Sequence, residues 1–491
     1  MNKPVRRIAI FCGLLVFALL LRDNWLQYVQ AEDLQKHKNN RRVLIARYNQ
    51  ARGNIFVDGG STAITGSVET KDSADFKYKR TYKNGEMWAP VTGYASQVYG
   101  ANQIEKLEDG ILTGDDDRLF FNRTVDMFTG KEKKGGDVIT TLNSKAQKAA
   151  FEGLGNKKGA VAAIDPRTGK ILALASTPSY DPSTIAGHKD EKAWTALTSK
   201  KNTDTPMLNR ALRQTYPPGS TFKVVTAAAA LEDGKYSSID EKTDSPLPWR
   251  LPLSSKNLEN EGPIPCENAT LREALRVSCN TVFGKLGDDL RKDKMREQAE
   301  KFGFNDPEID TPVRAAESVY PEEMDRPSNA MSAIGQYDTR ATPLQMAMVA
   351  AAIANDGKLM EPYMVDKLRA PNLNVIEQHS PKELRQAVSS DTAHKLQDMM
   401  ETVVATGTGT KAQIQGVTVG GKTGTAQHGV ANSKNPYAWF ISYAKGNDGS
   451  PVAVAVVIEG SDTTRDDIAG GRLAAPIARD VMKAVLDSEK K

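Results

Sequence analysis

The run Tyr216-Pro217-Pro218-Gly219-Ser220-Thr221-Phe222-Lys223 sets a hydroxyl and an amine three residues apart, just ahead of an alanine-rich segment. Two prolines and a glycine force a turn, and Ala227 to Leu231 is a strong helix former. Ser220 is therefore expected at a helix start, where backbone N–H groups lack intrahelical partners and the dipole is positive. Lys223 then shares its helical face. A hydroxyl at such an end with an amine one turn away can serve as nucleophile and base. A lone Ser-x-x-Lys is more often an N-cap serine beside a solvated lysine, and the chain carries two controls. Ser442 to Lys445 lies in a strand-like run, where positions i and i+3 face opposite ways, and Ser488 to Lys491 lies in a charged tail. Only Ser220 has the context.

Two further patterns follow. Ser278-Cys279-Asn280 falls between two helical periodicities, 58 residues after Ser220, and Lys422-Thr423-Gly424-Thr425 continues a strand-like run 144 residues after that. Singly they are weak. Ser255-Lys256-Asn257 and Ser433-Lys434-Asn435 also match Ser-x-Asn, in lysine-rich loops that read as surface turns, and Arg167-Thr168-Gly169 imitates Lys-Thr-Gly in a hairpin turn. Order and context give the set its weight.

The elements that must position these groups can be read in part. At 491 residues the chain has room for two or three domains. A net charge of +4 with no basic block interleaved with aromatics argues against nucleic acid. Three cysteines without C-x-x-C, no H-E-x-x-H and five scattered histidines give a metal site no support, and no cofactor motif occurs. Lys3, Arg6 and Arg7 precede Ile8 to Leu21, fourteen residues without a charge. That run is short for a span of about 20 residues, but flanking arginines can snorkel and Trp25 and Tyr28 suit an interface. An uncleaved anchor with its N-terminus inside is expected. Residues 32–136 read as a non-catalytic spacer or interaction domain: Arg52 to Gly60 as a strand into a turn, Tyr78 to Tyr99 as strand-like, and Glu108-Asp109 as a solvated turn. Beyond Gly135-Gly136, Val138 to Leu142 reads as a strand with Asn143 or Ser144 capping the next helix. Gly159 to Ile164 and Lys170 to Ala175 form a hairpin apolar on both faces, which calls for a sheet covered on both sides. Thr270 to Glu273 is a capping-box signature, Thr342-Pro343 opens an apolar helix, and Asp391 to Val404 is amphipathic. Strands at 417–421, 438–444 and 452–459 and a last helix at 474–486 suggest one sheet built from both ends of a domain.

Together the three motifs resemble the penicillin-recognising serine acyltransferases. Over roughly residues 137–487, the stretches Gly159 to Ser176, Asn209 to Lys223, Gly335 to Ala347 and Gly421 to Gln427 are similar to the transpeptidase domain of class B penicillin-binding proteins, most of all actinobacterial ones. The resemblance implies an α+β fold: a transpeptidase/β-lactamase-like domain with a mainly antiparallel central sheet flanked by helices (137–491). A smaller, dimerisation-like domain (32–136) and a membrane anchor (1–31) would precede it. It implies peptidoglycan D,D-transpeptidation outside the plasma membrane, with stem peptides as substrates, β-lactams as acylating inhibitors, and a multi-spanning glycan polymerase and division proteins as partners. By resemblance, Ser220 attacks the D-Ala-D-Ala carbonyl, Lys223 is its base, aided by Lys422, and Ser278 relays a proton to the leaving amine. Asn280 holds the substrate amide, Lys422 and Thr423 its carboxylate, and Gly424 allows close approach. The N–H groups of Ser220 and Thr425 form the oxyanion hole, worth roughly 3 kcal/mol per donor in other enzymes. His428 reads as a solvated strand-end residue. Gly335-Gln336-Tyr337 departs from the Gly-Gln-Gly common in the wider family, which puts a role for that loop in question, and Cys279 occupies the middle of Ser-x-Asn.

Cys266 and Cys279, thirteen residues apart, are the two cysteines outside the apolar run. Two external thiols tend to oxidise, so a bridge stapling the loop that carries Ser278 and Asn280 stands against two independent core thiols. A β-lactamase or D,D-carboxypeptidase is a second enzyme reading, although no Glu-x-x-Leu-Asn follows Ser278 to supply a deacylating glutamate. A penicillin-binding sensor or scaffold is a third.

Overall fold

The computed structural model describes residues 3–36, 40–71, 75–120, 128, 133–429, 432–460 and 465–490. Its first helix, α1 (Lys3–Tyr28), spans 26 residues, about 39 Å at 1.5 Å per residue. None of its residues is buried, so the apolar run from Ile8 to Leu21 has no cover within the chain. The strand β1 (Ile55–Val57) follows. Tyr78 to Tyr99 is only partly extended. Tyr78–Tyr82 pairs with Thr65–Glu69, but Asn84 turns the chain with φ 50° and α2 (Gly85–Thr92) follows. Burial of Trp88, Ala89 and Val91 decides this segment over its strand-like aromatic density.

The strand β2 (Asp137–Thr140) runs parallel to β1, with Ile55 opposite Val138, and the helix α3 (Ser144–Leu154) is capped by Asn143 Oδ1, which accepts from Ala146 N at 2.9 Å. Next comes the expected hairpin, β3 (Lys158–Ile164) and β4 (Ile171–Thr177). The helices α4 (Lys223–Glu232), α5 (Leu271–Val277), α6 (Asn280–Lys301) and α7 (Pro343–Ala354) fill the middle of the chain. Only half of the capping box forms on α5: Thr270 Oγ1 accepts from Glu273 N at 3.1 Å. The Glu273 carboxylate turns to the Arg276 guanidinium instead, at 2.6 and 2.7 Å, a charge-assisted fork stronger than the return bond to a backbone N–H. The strand β5 (Val365–Arg369) then pairs antiparallel with β2. Chain on both sides of residue 136 thus shares one sheet. After the helix α8 (Ser390–Thr406) come β6 (Val419–Ala426), β7 (Tyr437–Gly446), β8 (Gly449–Gly460) and α9 (Ala475–Glu489).

The central sheet is antiparallel throughout, in the order β6-β7-β8-β3-β4. Its apolar strands divide cleanly between two cores. Ala160, Ala162, Ile441, Ala455 and Val457 face the core that contains Val225, Met346 and Leu396. Val161, Ala163, Phe440, Val454 and Val456 face the core built with Ala146, Ala150, Val481 and Val485. Alternate side chains point to opposite faces, and both faces carry helices, so apolar side chains occupy both faces of these strands. On the edge strand β4, the buried Gln147 side chain pairs with both backbone groups of Leu174, at 2.7 and 3.0 Å. At the other edge is β6, the strand with the Lys-Thr-Gly sequence.

The domain ahead of the sheet is tied by charge. Glu105 accepts from Arg52 Nε and Arg80 Nε, each at 2.6 Å, with its side chain fully buried. Burial pushes the Glu105 carboxyl up, and the two guanidinium groups more than offset this and hold it below the usual carboxylate range. Asp109 is no solvated turn, because it bonds Arg52 at 2.6 Å and Arg47 at 2.8 Å.

Candidate active site

Ser220 lies in a single 3-10 turn, Gly219–Phe222, that leads directly into α4. The turn is held on every side. Trp439 Nε1 donates to Pro217 O at 3.0 Å, Thr221 Oγ1 to Pro218 O at 2.7 Å, and Gly219 N to Gly335 O at 2.9 Å. A Cβ on Gly335 would lie 2.1 Å from Gly219 O, so this glycine is what lets the neighbouring loop support the nucleophile. Gln336 reaches from that loop to both backbone groups of Gln427, at 3.2 and 3.3 Å. Tyr337 takes φ 57°, the left-handed conformation that glycine adopts without cost. The loop therefore keeps its bracing geometry despite its departure from the common pattern.

Ser278 ends α5 with φ 68° and ψ 46°. A serine in the left-handed region is strained by roughly 1–2 kcal/mol, and such strain clusters at functional sites. The strain turns the chain sharply between α5 and α6 and aims the Ser278 side chain at two lysines. Lys223 Nζ is 3.1 Å from Ser278 Oγ, and Lys422 Nζ is 2.9 Å from the same oxygen. Lys223 also donates to Ser278 O and Asn280 Oδ1, both at 2.7 Å, and Lys422 to Thr423 O at 2.9 Å. Both lysines are fully buried. Burial, then the charge of Lys422, pull the Lys223 amine far below its ordinary value; burial lowers Lys422 to about 7. Two ammonium groups do not coexist on one hydroxyl, so Lys223 is the neutral one. As a neutral amine it offers its N–H bonds to Ser278 O and Asn280 Oδ1, while Lys422 donates to Ser278 Oγ.

Ser278 lines a cleft of about 280 Å³ together with Ser220, Arg276, Thr423, Gly424 and Thr425. Ser220 Oγ has no hydrogen-bond partner among the described residues. The sequence-predicted residues Ser220, Lys223, Ser278, Asn280, Lys422, Thr423, Gly424 and Thr425 are all in or beside this site. Three do more than expected. Asn280 spends its amide inside the protein, accepting from Lys223 and donating to Glu259 O at 2.8 Å. Thr423 Oγ1 bonds Thr408 Oγ1 at 2.6 Å. The space above Gly424 is used by the nucleophile turn, since a Cβ there would lie 3.0 Å from Thr221 Cγ2 and 3.1 Å from Pro218 O. His428 stacks on Tyr437 at 4.0 Å and bonds Asn435 O at 2.7 Å.

Within the loop 257–266, sequence reasoning proposed the bridge from Cys266 but passed over Asn260 and Glu261. Cys266 is joined to Cys279, with their Cα atoms 5.7 Å apart. Asn260 Oδ1 accepts from Asn280 N at 2.7 Å and Thr281 N at 3.1 Å, so it caps α6 in place of Cys279, whose side chain cannot. Glu261, next to it, lines the cleft. A cap supplied from 20 residues away leaves no local signature; only the cysteine pair pointed to the loop. Among the described residues no group of acids, histidines and cysteines could hold a metal ion.

Residues 159–483 match the model of the penicillin binding protein transpeptidase domain, and residues 52–138 that of the penicillin binding protein A dimerisation domain. The chain is 41% identical to the peptidoglycan D,D-transpeptidase PbpA of Mycolicibacterium smegmatis, covering 99% of each protein. It is 41% identical to the protein of that name from Mycobacterium tuberculosis, covering all of both. It also superposes on penicillin-binding protein A from M. tuberculosis in its ceftriaxone acyl-enzyme complex, with a TM-score of 0.84 and 41% identity over 90% of this chain and 100% of that one.

Proposed function

The chain belongs to the penicillin-binding protein transpeptidase family, and on that premise we propose that it is a peptidoglycan D,D-transpeptidase that works through an acyl-enzyme on Ser220 and is acylated there by β-lactams. The observation that carries this reading is the Ser278 hydroxyl held between one neutral and one charged lysine beside an unpartnered Ser220 hydroxyl.

The roles follow from the proton inventory. Neutral Lys223, one helical turn from Ser220, takes the Ser220 proton as Oγ bonds the penultimate D-alanine carbonyl carbon. The proton passes through Ser278 to the departing D-alanine nitrogen as the C–N bond breaks, leaving an ester on Ser220 and a neutral Lys223. The acceptor amine then attacks the ester carbonyl. It gives up a proton along the same path, which returns to Ser220 Oγ as that oxygen leaves. Lys422 keeps its charge and holds the substrate carboxylate beside Thr423. Asn280 steadies Lys223 and retains one donor for the substrate amide. Backbone N–H groups of Ser220 and Thr425 receive the oxyanion. The reading assigns residues 137–491 to this chemistry and 32–136 to a non-catalytic domain. It places the catalytic domain outside a membrane crossed once by α1, supported by the exposed helix and the positive residues Lys3, Arg6 and Arg7 ahead of its apolar run. A multi-spanning glycan polymerase and division proteins are the partners it implies.

Mass spectrometry of the purified full chain after incubation with a penicillin, beside Ser220→Ala, tests it. A lasting adduct on the peptide containing Ser220, lost in the variant, is expected. A folded wild-type protein that takes no adduct would sink the acyl-enzyme reading, and rapid drug turnover would convert it to that of a β-lactamase.

A further inference from the structure

A transpeptidase has to choose between an amine acceptor and water, and the acceptor reaches the enzyme as an ammonium, because alkyl amines are protonated at neutral pH. The cleft that holds Ser220 is otherwise a poor host for a cation. Lys223, Lys422 and Arg276 lie in or against it, and the Arg276 fork is already closed on Glu273. Among the described lining residues the one acid is Glu261. It is exposed, has no ion pair or hydrogen bond among the described residues, and sits on a loop tied down on either side of it. The disulfide fixes that loop to Cys279, and Asn260, the residue before it, is bonded to two N–H groups of α6. The charge of Glu261 reaches both Lys223 and Lys422.

We propose that Glu261 is the residue that selects the acceptor, holding the incoming ammonium group of the second peptide at the mouth of the cleft so that aminolysis of the acyl-enzyme outruns hydrolysis. This rests on the D,D-transpeptidase reading. Glu261 forms and breaks no bond to carbon; it raises the local concentration of cationic acceptors, each of which releases its extra proton to solvent before the free amine attacks the ester. The loop's attachment to Ser278 and Asn280 gives the acceptor subsite a fixed position relative to the groups that move the proton.

The test uses the full chain, a thioester donor that acylates Ser220, and two competing acceptors. One is a lysine-type alkyl amine, cationic at pH 7.5, and the other is hydroxylamine, neutral at that pH. For Glu261→Gln the ratio of aminolysis to hydrolysis should fall about tenfold with the cationic amine, through a raised acceptor KM, and change less than twofold with hydroxylamine. Glu261→Asp should recover part of the loss, and penicillin labelling of Ser220 in each variant reports a folded site. An equal fall for both acceptors, or no fall for either, would overturn the assignment. If the wild type is not acylated by the donor, the acyl-enzyme reading fails first; if it is acylated and only the acceptor discrimination is missing, the fault lies with Glu261 alone.

Discussion

Replacing Lys422 by methionine should impair the enzyme and stabilise the fold, and both effects follow from its position. Lys422 and Lys223 share the Ser278 hydroxyl at 2.9 and 3.1 Å, so their Nζ atoms lie no more than about 6 Å apart. At an effective dielectric of about 20, two charges at that separation repel by about 3 kcal/mol, or about two pH units of basicity. Burial is the larger cause of the low Lys223 pKa and remains in the variant; the repulsion disappears. The acid limb of Ser220 acylation, which marks protonation of Lys223, should therefore move up by one to two pH units (about the repulsion just given), while the overall rate falls because the substrate carboxylate has lost its cation. The stability effect has the opposite sense. Lys422 titrates at about 7 in the fold and at 10.5 as a free side chain. Between those values the unfolded chain holds a proton that the folded chain does not, so stability rises with pH across the window. The penalty is complete below about 7. Its ceiling is on the order of 5 kcal/mol at 1.36 kcal/mol per unit, and relaxation around the site reduces what is observed. A methionine of similar length removes the penalty, and a rise in Tm of about 2 °C or more at pH 7 is expected. Fluorescent-penicillin labelling rates from pH 4 to 9 and thermal scans on the same samples give both readings. An acid limb that stays in place, together with an unchanged or lower Tm, would refute the reasoning.

Two further substitutions separate positioning from stability. Asn260→Ala strips the cap from α6 and should destabilise the protein by about 1–2 kcal/mol. It should also slow Ser220 acylation about 10- to 100-fold through misplacement of Ser278 and Asn280, and labelling kinetics beside a thermal scan would reveal a loss in only one of the two. Glu105→Gln leaves Arg80 buried without its counter-charge and Arg52 with Asp109 alone, a loss of about 3–5 kcal/mol. Limited proteolysis should cut first within residues 40–120, and cleavage beginning instead in the central sheet would show that the ion network does not govern that domain.

Much of the architecture was legible because it is written in near neighbours. The hairpin at Asp165–Gly169, the caps at Asn143 and Thr342, and the double-faced apolar strands all rest on period and turn chemistry over a few residues. Where the reading slipped, a distant partner had decided the matter. Aromatic density suggested strand across Tyr78–Tyr99, but burial of Trp88 and Val91 gives a helix at Gly85–Thr92. Glu108-Asp109 looked solvated because Arg47 and Arg52 are some sixty residues upstream. Glu273 looked like half of a capping box, and Arg276 took its carboxylate.

For the site, the sequence by itself picked out the groups that the fold brings together: a helix-start Ser220 with Lys223, a break at Ser278 and Asn280, and a strand-borne Lys422-Thr423-Gly424. It did so because helix starts, helix breaks and strands are local. Tertiary structure alone decided what those groups are. Lys422, 199 residues from Lys223 in sequence, becomes its neighbour through the strained turn of Ser278 and the edge strand β6. Only there do burial and repulsion make one amine neutral and leave the other charged. The choice of Asn260 as cap and Glu261 as the cleft's acid also belongs to the fold, because Coulomb and desolvation energies depend on distance in space.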